Sequence, residues 1–319
     1  MGCSSGIGGQ AVLEGIMMRN RDKYAIAVRK SDGEIELDVR DYKSVLGQDF
    51  AKVPILRGVS SFLDSLIIGT GCLMWSSQFF EDEEETARKK EMSEEELAKD
   101  KKTWDRIMTG TVIFSVVFAV GLFILLPYFL SSLLGRIGMG RTGILLMEAL
   151  IRIVIFLLYM FLISRMKDIQ RVFAYHGAEH KCINCIEHGL PLTVENVLKS
   201  SRQHKRCGTS FLLIVIVITV VCFLLLGLFG ITSPLWRLLI RLIMIPVIAG
   251  IAYEFLRLAG TSSSPVVNAL AAPGLALQKL VTREPDEEMA EVAIAAVEAV
   301  FDWKAWEAEH CHDLSGSCQ

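Results

Sequence analysis

Two histidines and a glutamate near the middle of the chain have the spacing of a metal site. His176, Glu179 and His180 form the pattern H-x-x-E-H. On a helix, positions 176 and 180 lie one turn apart on one face, and Glu179 lies beside them. Two imidazoles placed in this way can bind zinc, and the carboxylate can act as a general base. The pattern therefore predicts a metal site, and the plainer alternative is a pair of histidines packed as ordinary polar side chains.

The segment around the motif, residues 165–209, is rich in side chains that bind metals. It contains seven of them: His176, His180, Cys182, Cys185, His188, His204 and Cys207. A connection of this length without a function is uncommon. The density of histidine and cysteine favours the metal hypothesis over polar packing.

Two helices are expected in this segment. The first begins near Ile169 and carries the motif. The second follows Pro191, with Thr193 as its N-cap and an apolar stripe that continues towards His204. If the two helices form an antiparallel pair, His204 and Cys207 come close to the motif.

Two ligand sets use the motif itself. In a catalytic set, His176 and His180 bind zinc with a third ligand from His204 or Cys207, and a water molecule takes the open position while Glu179 acts as base. In a structural set, both histidines of the motif, His204 and Cys207 all bind, and a closed site of four protein ligands does no chemistry. The sequence leaves both sets open.

A third ligand set has the spacing of a zinc knuckle. It combines Cys182 and Cys185 with His204 and Cys207. On one continuous helix, however, Cys182 and Cys185 point away from the histidine face. The third set therefore competes with the first two, and Cys185 is kept as a secondary candidate.

Two carboxylates outside this segment are further candidates. Glu14 ends a glycine-rich stretch at residues 8–15 and could lie behind the ligands or face a substrate. Glu254 could approach the metal or pair with Arg257. The glycine-rich stretch lacks the lysine and serine of a phosphate-binding loop, so a phosphate site is not expected.

The composition is that of a membrane protein. The chain has 319 residues, is 52% hydrophobic and has a mean hydropathy of +0.42. Its net charge of −3 argues against a nucleic-acid partner. Eight cysteines follow no secreted framework, so reduced cytoplasmic thiols are expected.

Four apolar segments are long enough to cross a bilayer, and together they define a membrane domain at residues 107–258. They are residues 107–130, 144–164, 210–230 and 235–258. The expected fold class is mainly α, a polytopic membrane helical bundle with a small N-terminal β-hairpin region. Its partners are the lipid bilayer and an unknown substrate or protein.

The rest of the chain divides into four further regions. Residues 1–53 form a soluble or interfacial region with a hairpin, whose strands at 23–29 and 34–39 flank a turn at 31–33. Residues 54–80 are apolar but carry Arg57 and Asp64, which favours an interfacial or re-entrant helix. Residues 81–106 are a charged linker, and residues 259–319 are a cytoplasmic segment and tail.

The distribution of basic residues predicts the orientation. The 164–209 connection carries eight Lys or Arg residues and the linker from 88 to 106 carries seven. The two opposite connections contribute only Arg136 and Arg141. Because basic residues concentrate on the cytoplasmic side, both termini and the histidine-rich segment are expected to face the cytoplasm of a bacterial inner membrane.

Several motifs spread over nearly the whole chain carry a family resemblance. They lie at residues 8–15, 54–58, 175–181, 184–185, 192–197, 201–208, 273–275 and 284–285. The combination resembles the YqhQ family of bacterial membrane proteins, a domain of unknown function described as predicted metal-dependent enzymes. The family usually has Val or Thr where this chain has Cys182. The resemblance implies six functional positions: His176, Glu179, His180, Cys185, His204 and Cys207.

The sequence therefore predicts an integral membrane protein with a zinc-type site on its cytoplasmic side. The leading interpretation is a metal-dependent hydrolase in which Glu179 is the base. The alternative is a non-catalytic scaffold or partner-binding protein whose connection is stapled by a structural metal. A transporter ranks third, since four spans with few internal charges show no repeat.

Overall fold

The N-terminal region folds into a four-stranded antiparallel meander. The computed structural model describes residues 4–47, 49–80, 92–228, 234–262 and 264–310. The strands are β1 (Gly8–Val12), β2 (Gly15–Asn20), β3 (Lys23–Arg29) and β4 (Ile35–Asp41), paired in that order. The hairpin of β3 and β4 confirms the predicted one. β1 and β2 were not predicted, because side chains on both faces of these strands are covered and the sequence lacks the alternation typical of a strand.

Helices make up most of the remaining described chain. They are α1 (Leu56–Ser77), α2 (Glu94–Val120), α3 (Leu126–Leu134), α4 (Arg141–Ile163), α5 (Lys167–Glu187), α6 (Val194–Lys199), α7 (Gly208–Leu228), α8 (Pro234–Thr261), α9 (Pro265–Val281), α10 (Glu287–Glu298) and α11 (Trp303–His310). A π-helical turn, Gly121–Leu125, joins α2 to α3. The protein is thus mainly helical with a small N-terminal sheet, as the sequence predicts.

Among the described residues, five helical runs are long and apolar enough to cross a membrane. They are Leu56–Phe80, Glu95–Ile137, Thr142–Ile163, Gly208–Leu226 and Leu239–Thr261. The last four correspond to the four predicted spans, and Leu56–Phe80 is the run that the sequence assigns to an interfacial or re-entrant helix. Residues 229–230 of the third predicted span, 81–91 of the charged linker and 311–319 of the tail lie outside the described residues. These runs are compatible with an integral membrane protein.

The chain forms two compact units that do not follow its sequence order. The first unit combines Met1–Phe79, Phe161–Thr219 and Thr232–Gln319. The second consists of Phe80–Met160 and Val220–Ile231. The division into five consecutive regions stays a prediction, and the histidine-rich segment belongs to the first unit.

In the first unit, both faces of the sheet are covered by helices. Ile16 and Met18 of β2 share a core with Tyr175 of α5 and Ala293 of α10. Residues of the opposite face, among them Met17 and Ile26, pack against Cys72 of α1. Because both faces are buried, β2 and β3 contain runs of apolar residues instead of alternating with polar ones.

The second unit contains an ion pair in an apolar setting. Arg152 donates to Glu148 at 2.8 Å, and its Nε donates to the carbonyl of Phe123 at 3.0 Å. Phe123 lies in the π-helical turn, where the backbone leaves a carbonyl for a side-chain donor. Both charged side chains are buried, so the pair is a local feature of this unit.

Candidate metal centre

Helix α5 presents the H-x-x-E-H motif from within the core. It runs from Lys167 to Glu187, so the expected start near Ile169 is right within two residues. Gly177, between the motif histidines, lies against the backbone of the segment after α9. A Cβ built on Gly177 would stand 2.0 Å from the carbonyl oxygen of Arg283. Glycine at this position therefore lets α5 and that segment approach closely.

Helix α6 begins as predicted and ends earlier than predicted. The Thr193 side chain caps it by accepting from the Asn196 amide. The helix ends at Lys199, so the expected helical stripe that continues to His204 is wrong. The physical reason is competition for backbone carbonyls. Lys181 of α5 donates to the carbonyls of residues 198 and 200, and Asn184 donates to those of residues 201 and 203.

Three side chains converge at the centre of this segment. The Nε2 atom of His176 lies 3.2 Å from the Sγ atom of Cys207. One ligand atom from each of His176, His180 and Cys207 lies within 4.8 Å of the others. Ligand atoms that share one zinc ion at about 2.0–2.3 Å stand roughly 3–4 Å apart. The three side chains, called the triad below, therefore fit a single ion after small side-chain movements.

The backbone orients both imidazoles of the triad. Nδ1 of His176 lies 2.9 Å from the carbonyl oxygen of Val281, and Nδ1 of His180 lies 2.6 Å from that of Arg202. A carbonyl oxygen only accepts, so each Nδ1 donates a hydrogen, and a ring with a single proton then has its lone pair on Nε2. Histidine ligands of metals are held in this way, by a hydrogen bond from the nitrogen that does not bind.

His204 lies close to the triad but faces elsewhere. Its Nε2 atom stands 3.4 Å from Oε2 of Glu187, and its ring centroid lies 5.8 Å from that of His180. Its backbone amide donates to Oε1 of Gln278, whose own amide donates back to the His204 carbonyl. Burial lowers the pKa of His204, although the contact with Glu187 opposes this. The structure thus brings Cys207, and not His204, to the motif.

Glu187 is the acceptor that holds this part of the first unit together. It accepts from the backbone amide and hydroxyl of Ser5, from His204 and from Arg206. Burial alone would raise its pKa, but the hydrogen bonds from His204 and Arg206 and the charge of Arg206 lower it to about 2. Glu187 is therefore charged at neutral pH and fixes the N-terminal segment to the loop before Cys207.

Glu179 lies beside the triad and under the first strand. Its Oε2 atom stands 4.0 Å from Nε2 of His176. Gly9 of β1 covers it so closely that a Cβ at Gly9 would meet Cγ of Glu179 at 2.9 Å. Burial raises the pKa of Glu179, while the charge of His176 and the Gly9 amide lower it. Helix α5 and strand β1 together thus position a buried carboxyl group next to the triad.

The secondary candidates occupy other places. Cys182 and Cys185 are buried in the core between α5 and its neighbours, where burial raises the pKa of both thiols. Glu14 forms a two-pronged ion pair with Arg171. Glu254 of α8 pairs with Arg57 of α1. The structure brings none of the four to the triad.

Sequence reasoning missed the residues that support the triad from a distance. Gln278 is fully buried and links His204 to the hydroxyl of Ser210. Val281 and Arg202 contribute only backbone carbonyls, which leave no signal in a sequence. A glutamine inside the apolar stretch of α9 was the one available hint, because buried polar groups are paired.

Comparison with known proteins identifies the family. A family model described as "Protein of unknown function (DUF1385)" matches residues 53–303. The chain belongs to this family. A relative, "Uncharacterized protein YqhQ" of Bacillus subtilis (strain 168), is 38% identical over 295 residues, covering 90% of this chain and 89% of the relative. No solved structure matches the chain significantly. The resemblance to the YqhQ family is confirmed, and the DUF1385 match includes the triad and Glu179.

Proposed function

We propose that His176, His180 and Cys207 bind a zinc-type divalent metal ion and that Glu179 serves as general base in a hydrolytic reaction. One observation carries the proposal. Both Nδ1 atoms are committed to backbone carbonyls, which leaves the Nε2 atom of each histidine to bind a metal, and one ligand atom from each of His176, His180 and Cys207 lies within 4.8 Å of the others. Two nitrogens and one sulfur suit zinc, and three protein ligands leave a fourth position for water or substrate.

The division of roles follows from the geometry. Zinc supplies Lewis acidity and lowers the pKa of a water molecule that it binds. The Nδ1 hydrogen bonds of His176 and His180 to the backbone carbonyls of Val281 and Arg202 fix the tautomer of each ring. Glu179, at 4.0 Å from the His176 ligand atom, is placed to accept a proton and later return it to a leaving group.

Location is part of the same proposal. We infer a bacterial inner membrane, with the triad and both termini on its cytoplasmic side. The apolar helical runs support the membrane location. The eight Lys and Arg residues of the 164–209 connection support the orientation.

A second candidate is a structural metal that staples the first unit. Burial favours it: His180 is 1% exposed, Cys207 4% and Glu179 5%. The ion would tie α5 to the loop before α7, and the protein would then act as a scaffold or partner-binding factor. In a closed staple, a fourth protein ligand such as His204 or Glu179 completes the site.

Cobalt substitution distinguishes a catalytic metal from a structural one, and it needs no known substrate. The full chain is purified in detergent, its metal content is measured by elemental analysis, and the zinc is exchanged for Co²⁺. Acetohydroxamate, a small metal chelator, is then added while the visible absorption is recorded. An open position predicts a spectral change and about one metal per chain. If acetohydroxamate does not change the spectrum, the hydrolase proposal is rejected and the structural metal remains.

Two variants complete this test. Glu179→Gln keeps the shape of the side chain, so the hydrolase predicts retained metal with an altered pH dependence of the cobalt spectrum. His204→Gln predicts retained metal if three ligands suffice, and metal loss if His204 is the fourth ligand of a staple. Wild-type protein that holds no stoichiometric metal would end both proposals.

A further inference from the structure

Helix α1 has the length and composition of a membrane span but packs along the sheet. Both carboxylate oxygens of Asp64 accept from the β4–α1 connection, one from the Tyr42 hydroxyl and one, at 2.8 Å, from the Val45 amide. Just over three turns of helix separate Asp64 from the last such contact, where Ser76 accepts from the amide of Leu13 at 3.2 Å. The part of α1 from Asp64 to Ser76 therefore lies against β-structure and its connections.

A sheet of this kind does not lie in hydrocarbon. β4 is an edge strand, and its outer backbone groups pair with no further strand in the described sheet. It also carries charged side chains, among them Asp38 and Arg40. Backbone groups without partners cost several kcal/mol each in a bilayer core, so open sheet edges do not occur there. The sheet therefore stays in water, and α1 stays beside it.

The shared core of the first unit requires an even number of membrane crossings between the segments that form it. Ile16, Tyr175 and Ala293 belong to one hydrophobic cluster, so their segments lie on one side of the membrane. The chain between Ile16 and Tyr175 must then cross an even number of times. The described residues of this stretch contain three apolar runs, with mean hydropathy 1.3 for Leu56–Phe80, 2.6 for Glu95–Ile137 and 2.4 for Thr142–Ile163. The least apolar run, α1, is the one that does not cross.

The chain from Tyr175 to Ala293 also crosses an even number of times in this arrangement. Between Tyr175 and Ala293, α7 and α8 provide two crossings. The shorter apolar helix α9 does not provide a third, because both its ends touch the loop before α7. Near its start, Asn268 accepts from Lys205 at 3.1 Å, and near its end Gln278 contacts His204.

The face of α1 that points away from the sheet is apolar and exposed. It contains Leu56, Phe62, Leu66, Ile67 and Leu73, each 39–49% exposed. One end of this face joins the membrane-spanning helices. The ring of Phe62 lies 6.1 Å from that of Phe211 in the first turn of α7, and Gly58 crosses α8 at Gly250 without room for a side chain. The exposed face is thus continuous with helices that enter the bilayer.

We propose that α1 does not span the membrane but lies in its interface, with this apolar face docked on lipid. The occupant of the face is the bilayer surface on the side that holds the triad. An amphipathic helix binds an interface through the apolar area that it buries among headgroups and acyl chains. Gly69 of α1 contacts Gln10 of β1, which neighbours the glycine above Glu179. The lipid surface and the base position are therefore joined by one strand.

Thiol labelling tests whether α1 crosses. Cys3, Cys311 and Cys318 are replaced by serine, and single cysteines are introduced as Ser93→Cys, Lys199→Cys and Arg136→Cys, all at exposed positions. A membrane-impermeant maleimide is applied to right-side-out and inverted vesicles. Ser93→Cys is expected to label in the same vesicles as Lys199→Cys, and Arg136→Cys in the opposite ones. Labelling of Ser93→Cys together with Arg136→Cys would overturn the proposal.

Collision measurements on spin labels test the lipid contact. In the same background, nitroxides are attached at Ile67→Cys and Leu37→Cys, which replace side chains of matched exposure, 49% and 45%. Leu37 pairs with Ala27 on the sheet face opposite to α1. In proteoliposomes the label at 67 should collide more with oxygen and the label at 37 more with a water-soluble nickel chelate. A label at 67 that prefers the nickel chelate would refute the docking of α1 on lipid.

Discussion

The Nε2 atom of His176 lies 3.2 Å from the Sγ atom of Cys207, although 31 residues separate them in the chain. This contact joins a helix to the loop that leads into α7, and His180 completes the group. The triad therefore depends on every element that positions the loop relative to α5.

Cys207→Ala should remove most of the bound metal, because two histidines alone bind zinc much more weakly than three ligands. The matched control is Cys182→Ala, which removes an equally buried thiol from α5 at a position outside the triad. The metal content of both purified variants is measured by elemental analysis. Equal metal in the two variants would exclude Cys207 as a ligand.

Gly177→Ala should lower the thermal unfolding temperature and weaken metal binding. The added methyl group would stand 2.0 Å from the Arg283 carbonyl, and relief of such overpacking costs about 1–3 kcal/mol. In the control Gly71→Ala, the new Cβ has no heavy-atom neighbour within 4 Å, and alanine favours a helix by about 1 kcal/mol over glycine. The thermal unfolding temperature should fall in Gly177→Ala and rise in Gly71→Ala. A Gly177→Ala protein as stable as wild type would contradict this packing.

Gln278→Met should destabilise the loop that carries Cys207. The side chain of Gln278 accepts from the His204 amide and donates to the His204 carbonyl and the Ser210 hydroxyl. Methionine keeps the volume but leaves these groups unpaired, at about 1–3 kcal/mol for each buried group. Lys279→Met changes the exposed neighbour and serves as control. Hydrogen exchange of residues 203–207 should accelerate in the first variant only.

The lowered pKa of Glu187 predicts that its contribution to the stability of the fold is lost at acidic pH. Its pKa is about 2 in the folded protein, below the ordinary value of 4.5. A carboxyl group with a lowered folded pKa stabilises fully above its unfolded pKa and loses this effect as pH falls towards the folded value. Glu187→Gln should therefore lower the unfolding temperature at neutral pH. The difference from wild type should shrink between pH 4.5 and pH 2, whereas a constant difference would argue against the shifted pKa.

Local patterns in the sequence predict much of this protein. The spacing of His176 and His180, the Thr193 cap and the β3–β4 hairpin all depend on residues close together in the chain, so their patterns are visible there. The apolar segments are equally visible, since bilayer thickness fixes their length. Strands β1 and β2 were missed because both faces of this part of the sheet are covered, and no alternation marks them.

The sequence alone was enough to place a histidine pair and a neighbouring glutamate on one helix, in a chain whose apolar segments are long enough to cross a membrane. It could not choose between His204 and Cys207, which both follow α6 at similar distance from the motif. In the tertiary structure, contacts between residues far apart in the chain bring the thiol of Cys207 next to His176. Glu187 and Gln278 hold His204 aside, and Gln278 lies 74 residues away from it. The same kind of contact, between α1 and the sheet, separates an interfacial helix from a membrane span of similar composition.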